Sequence, residues 1–419
     1  MKIFTLILAI ILSILSVYNL GKAKYIASSI HMIIWQIFII MHFCVSLRQI
    51  PSYEGILFLE VMCMLVVLGE AIGSRYSMPL AETEFLEGSI DGNILWILLV
   101  IFTIVGIIQQ IVFVYDNGFN FFDLTHISAF LAMSNQMAVT RYSTGYAENG
   151  GVLSSIISVF IYTSPLLGGF LFDFSKSKKE KFISVMSLFP LFLGTMITNA
   201  KTGLIAGVFL FVIGLLAAYS CNKKIESFFT LKRVIAVVIL LLLFFVLLFL
   251  TFCFRLGSLS KDSFEIAAEK FLIYFCGQIH SFSVWMAARG NIDPTLGAYT
   301  FIGIASEFGI IERNSGVFDF LPGTDSNIFT AFRGMITDYT VVGALAIMLF
   351  TGFLLGMSYK TVKNTGSAFA VALWSSITFF LFYDFIISAW TYMSYILVFP
   401  LFWIILCLRK VKVTRKQYA

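Results

Sequence analysis

From Arg233 to Phe254 the chain reads RVIAVVILLLLFFVLLFLTFCF, with no charge after its first residue. A run of this length and character spans the hydrocarbon of a bilayer as an α-helix. The pattern recurs: apolar runs of spanning length fall at 3–20, 26–45, 55–73, 94–114, 152–171, 182–198, 203–219, 234–254, 341–359, 368–388 and 390–408. Lipid offers backbone polar groups no partner, so such runs must close their hydrogen bonds within helices or a sealed barrel. Here they are near-continuous rather than alternating, which selects helices. Composition agrees, since 59% of the 419 residues are hydrophobic and 12% charged, against about 25% charged in soluble domains. The expectation is an all-α polytopic membrane protein of about eleven transmembrane helices, one integral-membrane domain over 1–419. The stretch FFDLTHISAFLAMSNQMAVTRY at 121–142 is less apolar and reads as an amphipathic or re-entrant helix at the interface, or as a twelfth span. The opening MKIFTLILAIILSILSVYNLGK resembles a signal peptide, but its apolar run is long and lacks a small-residue cleavage site. It is expected to stay as the first helix.

Basic residues gather between the runs: Lys176, Lys178, Lys179 and Lys181; Lys223, Lys224, Lys232 and Arg233; Lys360 and Lys363; and the tail RKVKVTRKQYA. Counting spans puts all four clusters on one side, which the positive-inside tendency assigns to the cytoplasm, C-terminus included. Eleven spans put the N-terminus outside and twelve put it inside; Lys22 and Lys24 favour eleven. The acidic loop around Glu82, Glu84 and Glu87 carries little weight in this rule. The chain is expected to be multi-pass, with its C-terminus cytoplasmic.

One polar interruption, 255–338, separates two of the most apolar runs. It holds six Lys/Arg, nine Asp/Glu and two of the seven prolines. It is rich in aromatics and glycine, unlike a disordered linker, and long loops are usually functional or disordered. On the topology above it faces outward, with interfacial helices such as FEIAAEKFLIYFCGQIHSFSVWMAAR. Arg141, Lys201, Arg255, Arg313 and Arg333 all fall on that outer side, against the positive-inside bias. Each alone reads equally as a structural residue, Arg255 as a snorkelling one. Their shared side points to an outward-facing anion site, with diphosphate a natural occupant, because guanidinium binds phosphate in bidentate fashion. Asn327, Thr330 and Asp338 share a helical face with Arg333 near its edge. His280 is either a hydrogen-bonded structural residue or a base. Glu60, Glu70 and Asp384 lie inside apolar runs with no partner visible in sequence. No P-loop, GxGxxG or cytoplasmic DxD occurs, and no cysteine pair has metal-ligand spacing. No nucleic-acid partner, metal or cofactor is expected.

The stretches LGAYTFIGIASEFGI and TDSNIFTAFRGMITDYTVVGALAIMLFTGFLLG resemble the Wzy-type oligosaccharide repeat-unit polymerases of bacterial surface polysaccharide assembly. Members show Asn-x-x-Thr-x-x-Arg and then an acidic–aromatic–Gly turn into a glycine-punctuated span, matched here by Asn327, Thr330, Arg333, Asp338 and Tyr339. VTRYS is similar to their Arg-Tyr segment, TNAKTGLI to their short basic turn, and YFCGQIHSF to their Tyr-x-x-Gly stretch. The family's Arg-Pro is Arg333-Gly334 here, the following Gly is Thr340, and the Arg of the short turn is Lys201. The sequence likeness extends from about 141 to 359.

The resemblance implies a metal-independent glycosyltransferase on the outer face of the cytoplasmic membrane, building an O-antigen, capsule or exopolysaccharide. The donor would be a glycan on polyprenyl diphosphate and the acceptor a lipid-linked repeat unit, with a chain-length regulator and a flippase of the same pathway as partners. Arg255, Arg333 and Arg141 would bind diphosphate, with Lys201 and Arg313 adding charge. His280, Glu307, Asp325 and Asp338 are the candidate bases. Two other readings fit the layout, an O-antigen-type ligase and a lipid-linked oligosaccharide flippase or other transporter. A membrane assembly factor is a third, though it would have no use for converging outer cations.

Overall fold

The computed structural model describes residues 1–45, 50, 52–79, 93–143, 152–222, 225–257, 260–290, 293–312, 318–324 and 326–408, and among these the chain is all-helical. It begins with α1 (Lys2–Gly21), α2 (Ile26–Val45), α3 (Glu54–Gly73), α4 (Asn93–Asp116), α5 (Phe121–Thr125) and α6 (Ile127–Ser143). Then come α7 (Val152–Phe174), α8 (Lys178–Met186), α9 (Phe189–Thr198), α10 (Lys201–Cys221), α11 (Ile225–Phe228) and α12 (Leu231–Arg255). It closes with α13 (Lys261–Ala288), α14 (Ile302–Glu307), α15 (Thr330–Thr365), α16 (Ala368–Tyr383) and α17 (Met393–Cys407). Counting α8 with α9 as one, ten of the described segments are long and apolar enough to cross a membrane, and α16 and α17 are shorter apolar helices. This is the architecture of a polytopic membrane protein. The eleven expected runs all fall on these helices, and α13 is the long segment not foreseen as a span.

Contacts between helices assign each loop to an end of the bundle. Asn222 Nδ2 donates to Asp173 at 2.6 Å, tying the last turns of α7 and α10 together. Lys360 Nζ donates to the Arg75 carbonyl at 2.9 Å, joining the exit of α3 to α15. Phe402 packs on Phe170 and Tyr395 on Tyr162, so α17 runs beside α7 in the same direction. The lysines that follow α7, those at the end of α15, and Lys232 and Arg233 at the start of α12 therefore lie at one end, the basic end. The starts of α1 and α3 and the exits of α2 and α12 lie at the other, the far end. The acidic loop and the basic tail lie outside the described residues.

The tightest seam joins α3 to α15. Gly69 and Gly73 of one face Gly352 and Gly356 of the other, and a Cβ at any of the four would enter the opposing backbone. Helices in lipid gain nothing from expelling water, so such small-residue faces, which bring backbones into van der Waals contact, are what holds them together. Along this seam Gly352 meets Val66 and Gly356 meets Glu70, a constant offset that sets Thr340 level with the first turn of α3.

Two features shape the far end. First, α16 has 16 residues and α17 has 15, about 24 Å and about 22 Å at 1.5 Å per residue, short of the roughly 30 Å hydrocarbon thickness. Their joint stops below the far end, and the described parts of the chain between Asp293 and Tyr339 drop into the space above it. Ser388 Oγ donates to the Thr300 carbonyl at 2.7 Å, and Phe301 stacks on Trp390 at 4.9 Å. Second, α15 is two helices, broken at Thr340 (φ 64°, ψ 176°). The first piece, 330–339, is a re-entrant arm. Its Ala331 N–H donates to the Asp384 carbonyl at 2.8 Å and Phe332 stacks on Trp35 at 5.3 Å. Trp35 is ten residues from the exit of α2, so the arm starts about 15 Å inside the bundle and climbs to Thr340.

Composition alone counts α13 among the candidate spans. Its contacts say otherwise. Phe271 packs on Phe249 and Phe252 near the exit of α12, while Ser283 abuts Gly55 in the first turn of α3. With both halves at the far end, α13 slants across the bundle and does not traverse it.

Candidate functional site

Two groups of cations occupy the far end, and α13 runs between them. The first is built on the break between α9 and α10. Asn199 adopts the left-handed conformation (φ 56°), which asparagine tolerates better than most residues, and this turns the chain within one residue. Its Nδ2 donates to the Ser134 carbonyl (2.9 Å) and hydroxyl (2.8 Å) on α6, and Ser134 Oγ donates to the Met196 carbonyl (2.9 Å). Lys201 follows at the first position of α10, 6% exposed, with Nζ 3.3 Å from the Asn199 carbonyl and 3.8 Å from the centre of the Phe252 ring. One turn after Phe252, the Arg255 carbonyl accepts from Asn135 Nδ2 at 2.6 Å. The structure thus brings together Lys201, the main chain at Arg255 and α6, the helix that carries Arg141; the Arg141 side chain lies outside the described residues.

The second group surrounds the re-entrant arm. Arg333 lies in its first turn, half-buried, with Cζ 3.9 Å from the Phe318 ring centre, 4.1 Å from Phe329 and 5.4 Å from Trp285. Three aromatic faces fix the guanidinium through its π-surface and leave its edge to hydrogen-bond. Yet Nη1 is buried with no acceptor among the described residues, and no described carboxylate lies within ion-pair distance. The placement is doubly costly, because the N-terminus of a helix already carries about half a positive charge. Lys201 also stands at the start of a helix, α10. Arg333, a cation at a helix N-terminus whose Nη1 has no acceptor among the described residues, would be stabilised by an anion that reaches it.

His280, on α13, is 6% exposed with Nε2 3.1 Å from the Gly323 carbonyl. A carbonyl only accepts, so Nε2 carries the proton and Nδ1 presents a lone pair; Nδ1 is buried without a partner among the described residues. Five residues further along α13 is Trp285 against Arg333, about 8 Å at helical rise. The same loop serves both residues, Phe318 against Arg333 and Gly323 against His280. Tyr274, which packs on Phe252 at 5.9 Å, is eleven residues before Trp285, so the two cation groups are about 16 Å apart along α13.

The other candidates divide by role. Asp338 is fully buried and accepts from Thr295 Oγ1 (2.5 Å), Tyr299 N (3.1 Å) and Thr300 N (2.6 Å). These bonds clamp the loop over the α16–α17 joint to the top of the arm, so its carboxylate acts as a fastener. Thr330 opens the arm in the left-handed region (φ 67°), and its hydroxyl accepts from Phe332 N at 3.3 Å. Asn327 is half-buried just before the arm, and Glu307 is exposed at the end of α14. Arg313 and Asp325 lie outside the described residues. Sequence reasoning missed Trp285, Phe318 and Phe329, and also Arg289, whose Nε is buried without a partner among the described residues. The Trp285-x-x-x-Arg289 spacing at the end of α13 was the available signal. No group of three or more potential metal ligands occurs among the described residues. Comparison with protein-family models, curated proteins and solved structures gives no match.

Proposed function

We propose that the chain is a metal-independent membrane glycosyltransferase that polymerises polyprenyl-diphosphate-linked oligosaccharide units into a surface polysaccharide, as its resemblance to the Wzy-type polymerases implies. The observation that carries this reading is Arg333, held by three aromatic rings at the start of a re-entrant helix with no counter-ion within ion-pair distance among the described residues. Its depth, about 10 Å inside the bundle at helical rise, suits a head group joined to a lipid tail. The positive-inside tendency puts the basic end in the cytoplasm and the far end outside, where lipid-linked glycans are polymerised in this reading.

In the reaction an acceptor hydroxyl attacks the anomeric carbon of the donor's reducing-end sugar. The carbon–oxygen bond to diphosphate breaks, and polyprenyl diphosphate departs with the bonding pair. Arg333 stabilises the charge that grows on the leaving group, and the Lys201–Arg255 group offers a second cationic site for the acceptor's diphosphate. His280 Nδ1 takes the hydroxyl proton, being a buried candidate base without a partner among the described residues and on the helix that carries Trp285 to Arg333. Arg333→Ala should slow polymer formation by about 10²–10³-fold while the protein still accumulates in the membrane; normal-length polymer at the wild-type rate from that variant sinks the assignment.

A second reading draws on the broken α15 and the buried pair of His31 and Asp384 (2.8 Å), since discontinuous helices and intramembrane charges also mark transporters of lipid-linked sugars. Detergent-solubilised protein separates the two, because a polymerase still elongates chains without a membrane and a transporter does nothing. The ligase reading differs in acceptor only. Loss of a polymerase leaves single repeat units attached, whereas loss of a ligase leaves unattached lipid-linked polymer.

A further inference from the structure

Asp384 ends α16 in the middle of the bundle, fully buried. Its Oδ2 accepts from His31 Nε2 at 2.8 Å and its Oδ1 from Trp35 Nε1 at 3.0 Å, both donors on α2 and both fully buried. A carboxylate at a helix C-terminus opposes the dipole, and a buried ion pair is seldom worth more to stability than well-packed apolar side chains. Folding alone therefore gives little reason for it. What the residue does touch is the re-entrant arm. Its carbonyl, one of those left without a partner at the end of α16, accepts from Ala331 N–H, one of those left at the start of the arm. Two helix ends meet head to tail, and the Trp35 indole that holds the carboxylate also stacks on Phe332. Arg333 is the next residue.

The arm needs such an anchor. It is bounded by Thr330 (φ 67°) and Thr340 (φ 64°), two residues with side chains in the region that favours glycine. Strain of this kind persists only where the surroundings hold the backbone in place. Asp338 ties the upper end to the loop at 295–300, and the lower end has the Asp384 junction. We infer that Asp384, held by His31 and Trp35, is a positioning residue that sets the depth of the arm and so places the Arg333 guanidinium in its aromatic box. The inference rests on the anion-site reading of Arg333.

Hydrogen exchange of the purified full-length protein, read by mass spectrometry, tests the structural half. In Asp384→Ala and in His31→Ala the amides of 331–339 should exchange at least tenfold faster, while those of α7 and α10 keep their wild-type rates. Asp384→Asn, which retains the shape, serves if the alanine variant does not fold. Polymer formation tests the functional half. Asp384→Asn should lower the rate at least tenfold, and Asp384→Asn combined with Arg333→Ala should be no slower than Arg333→Ala alone. Unchanged exchange in the arm overturns the inference, as does faster exchange spread evenly over the bundle or a double variant whose losses multiply. A wild-type protein that makes no polymer removes the reading of Arg333 instead, and the exchange rates still decide what Asp384 holds.

Discussion

Arg333 and Asp338 are five residues apart on one short helix and are built for opposite tasks. Arg333 has aromatic rings on its faces and an unfilled donor, so its removal should cost reaction rate and not folding. By analogy with losing one oxyanion-hole donor, Arg333→Ala should slow polymerisation by about 10²–10³-fold. Arg333→Lys should recover only part of that, since ammonium keeps the charge but loses the planar fork. Phe318→Ala should weaken the clamp by about 1 kcal/mol, seen as a several-fold slower rate at full charge. Asp338 shows the reverse pattern. Its carboxylate gathers a hydroxyl and two backbone N–H groups, and a buried donor left unpaired costs about 1–3 kcal/mol. Asp338→Ala should therefore lower the thermal midpoint in detergent by several degrees, whereas Arg333→Ala should leave it in place. In sequence Arg333 is one of five outer-side cations and Asp338 one of four candidate bases, and nothing local separates a ligand group from a fastener. The difference between them is set by Thr295, Tyr299 and Thr300, some forty positions before Asp338, and no local pattern carries that pairing.

At the level of elements, the spans were legible because length and apolar content fix them, whatever their neighbours. The arm was harder. Residues 330–365 read as a helix entering a span, and the break at Thr340 shows only as a departure from the glycine that the resembled family has there. The backbone explains that glycine: φ 64° and ψ 176° is a conformation that a side chain strains. Thr340→Gly should then raise stability by about 1 kcal/mol, measured as a higher thermal midpoint, without loss of polymer. The glycine faces of α3 and α15 make the opposite prediction. Gly352→Leu puts a side chain into the Val66 backbone and should drive the helices apart, with protein lost from the membrane fraction. For α13 composition was ambiguous. Aromatic contacts to α12 at one end and the Gly55–Ser283 approach at the other settle that it lies across the far end, and both are tertiary facts. The Arg333 box was illegible for the same reason, since Trp285, Phe318 and Phe329 come from three separate stretches.

The whole molecule has a polarity that the sequence did reveal. Lysine-rich turns gather at one end and the cation-bearing polar interruption at the other. The N-terminus falls at the far end with the interruption, as the eleven-span count expects. The proposed orientation in the membrane rests on the positive-inside tendency and is open to a direct check. In a protein without native cysteines, Lys261→Cys, at a site 88% exposed in its side chain, should react with an impermeant maleimide added to intact cells. Lys178→Cys should react only after permeabilisation. On the proposed function the far end would meet lipid-linked glycans outside the cell, with Arg333 at the start of the re-entrant arm and His280 on α13 as the residues that engage them. The most direct measurement of that claim is polymer formation by the purified protein supplied with a polyprenyl-diphosphate-linked repeat unit, without metal or nucleotide. The wild type should build a ladder of chain lengths, and Arg333→Ala, at an unchanged thermal midpoint, should extend the repeat unit about 10²–10³-fold more slowly. A normal ladder from Arg333→Ala, or no extension by the wild type, would contradict it.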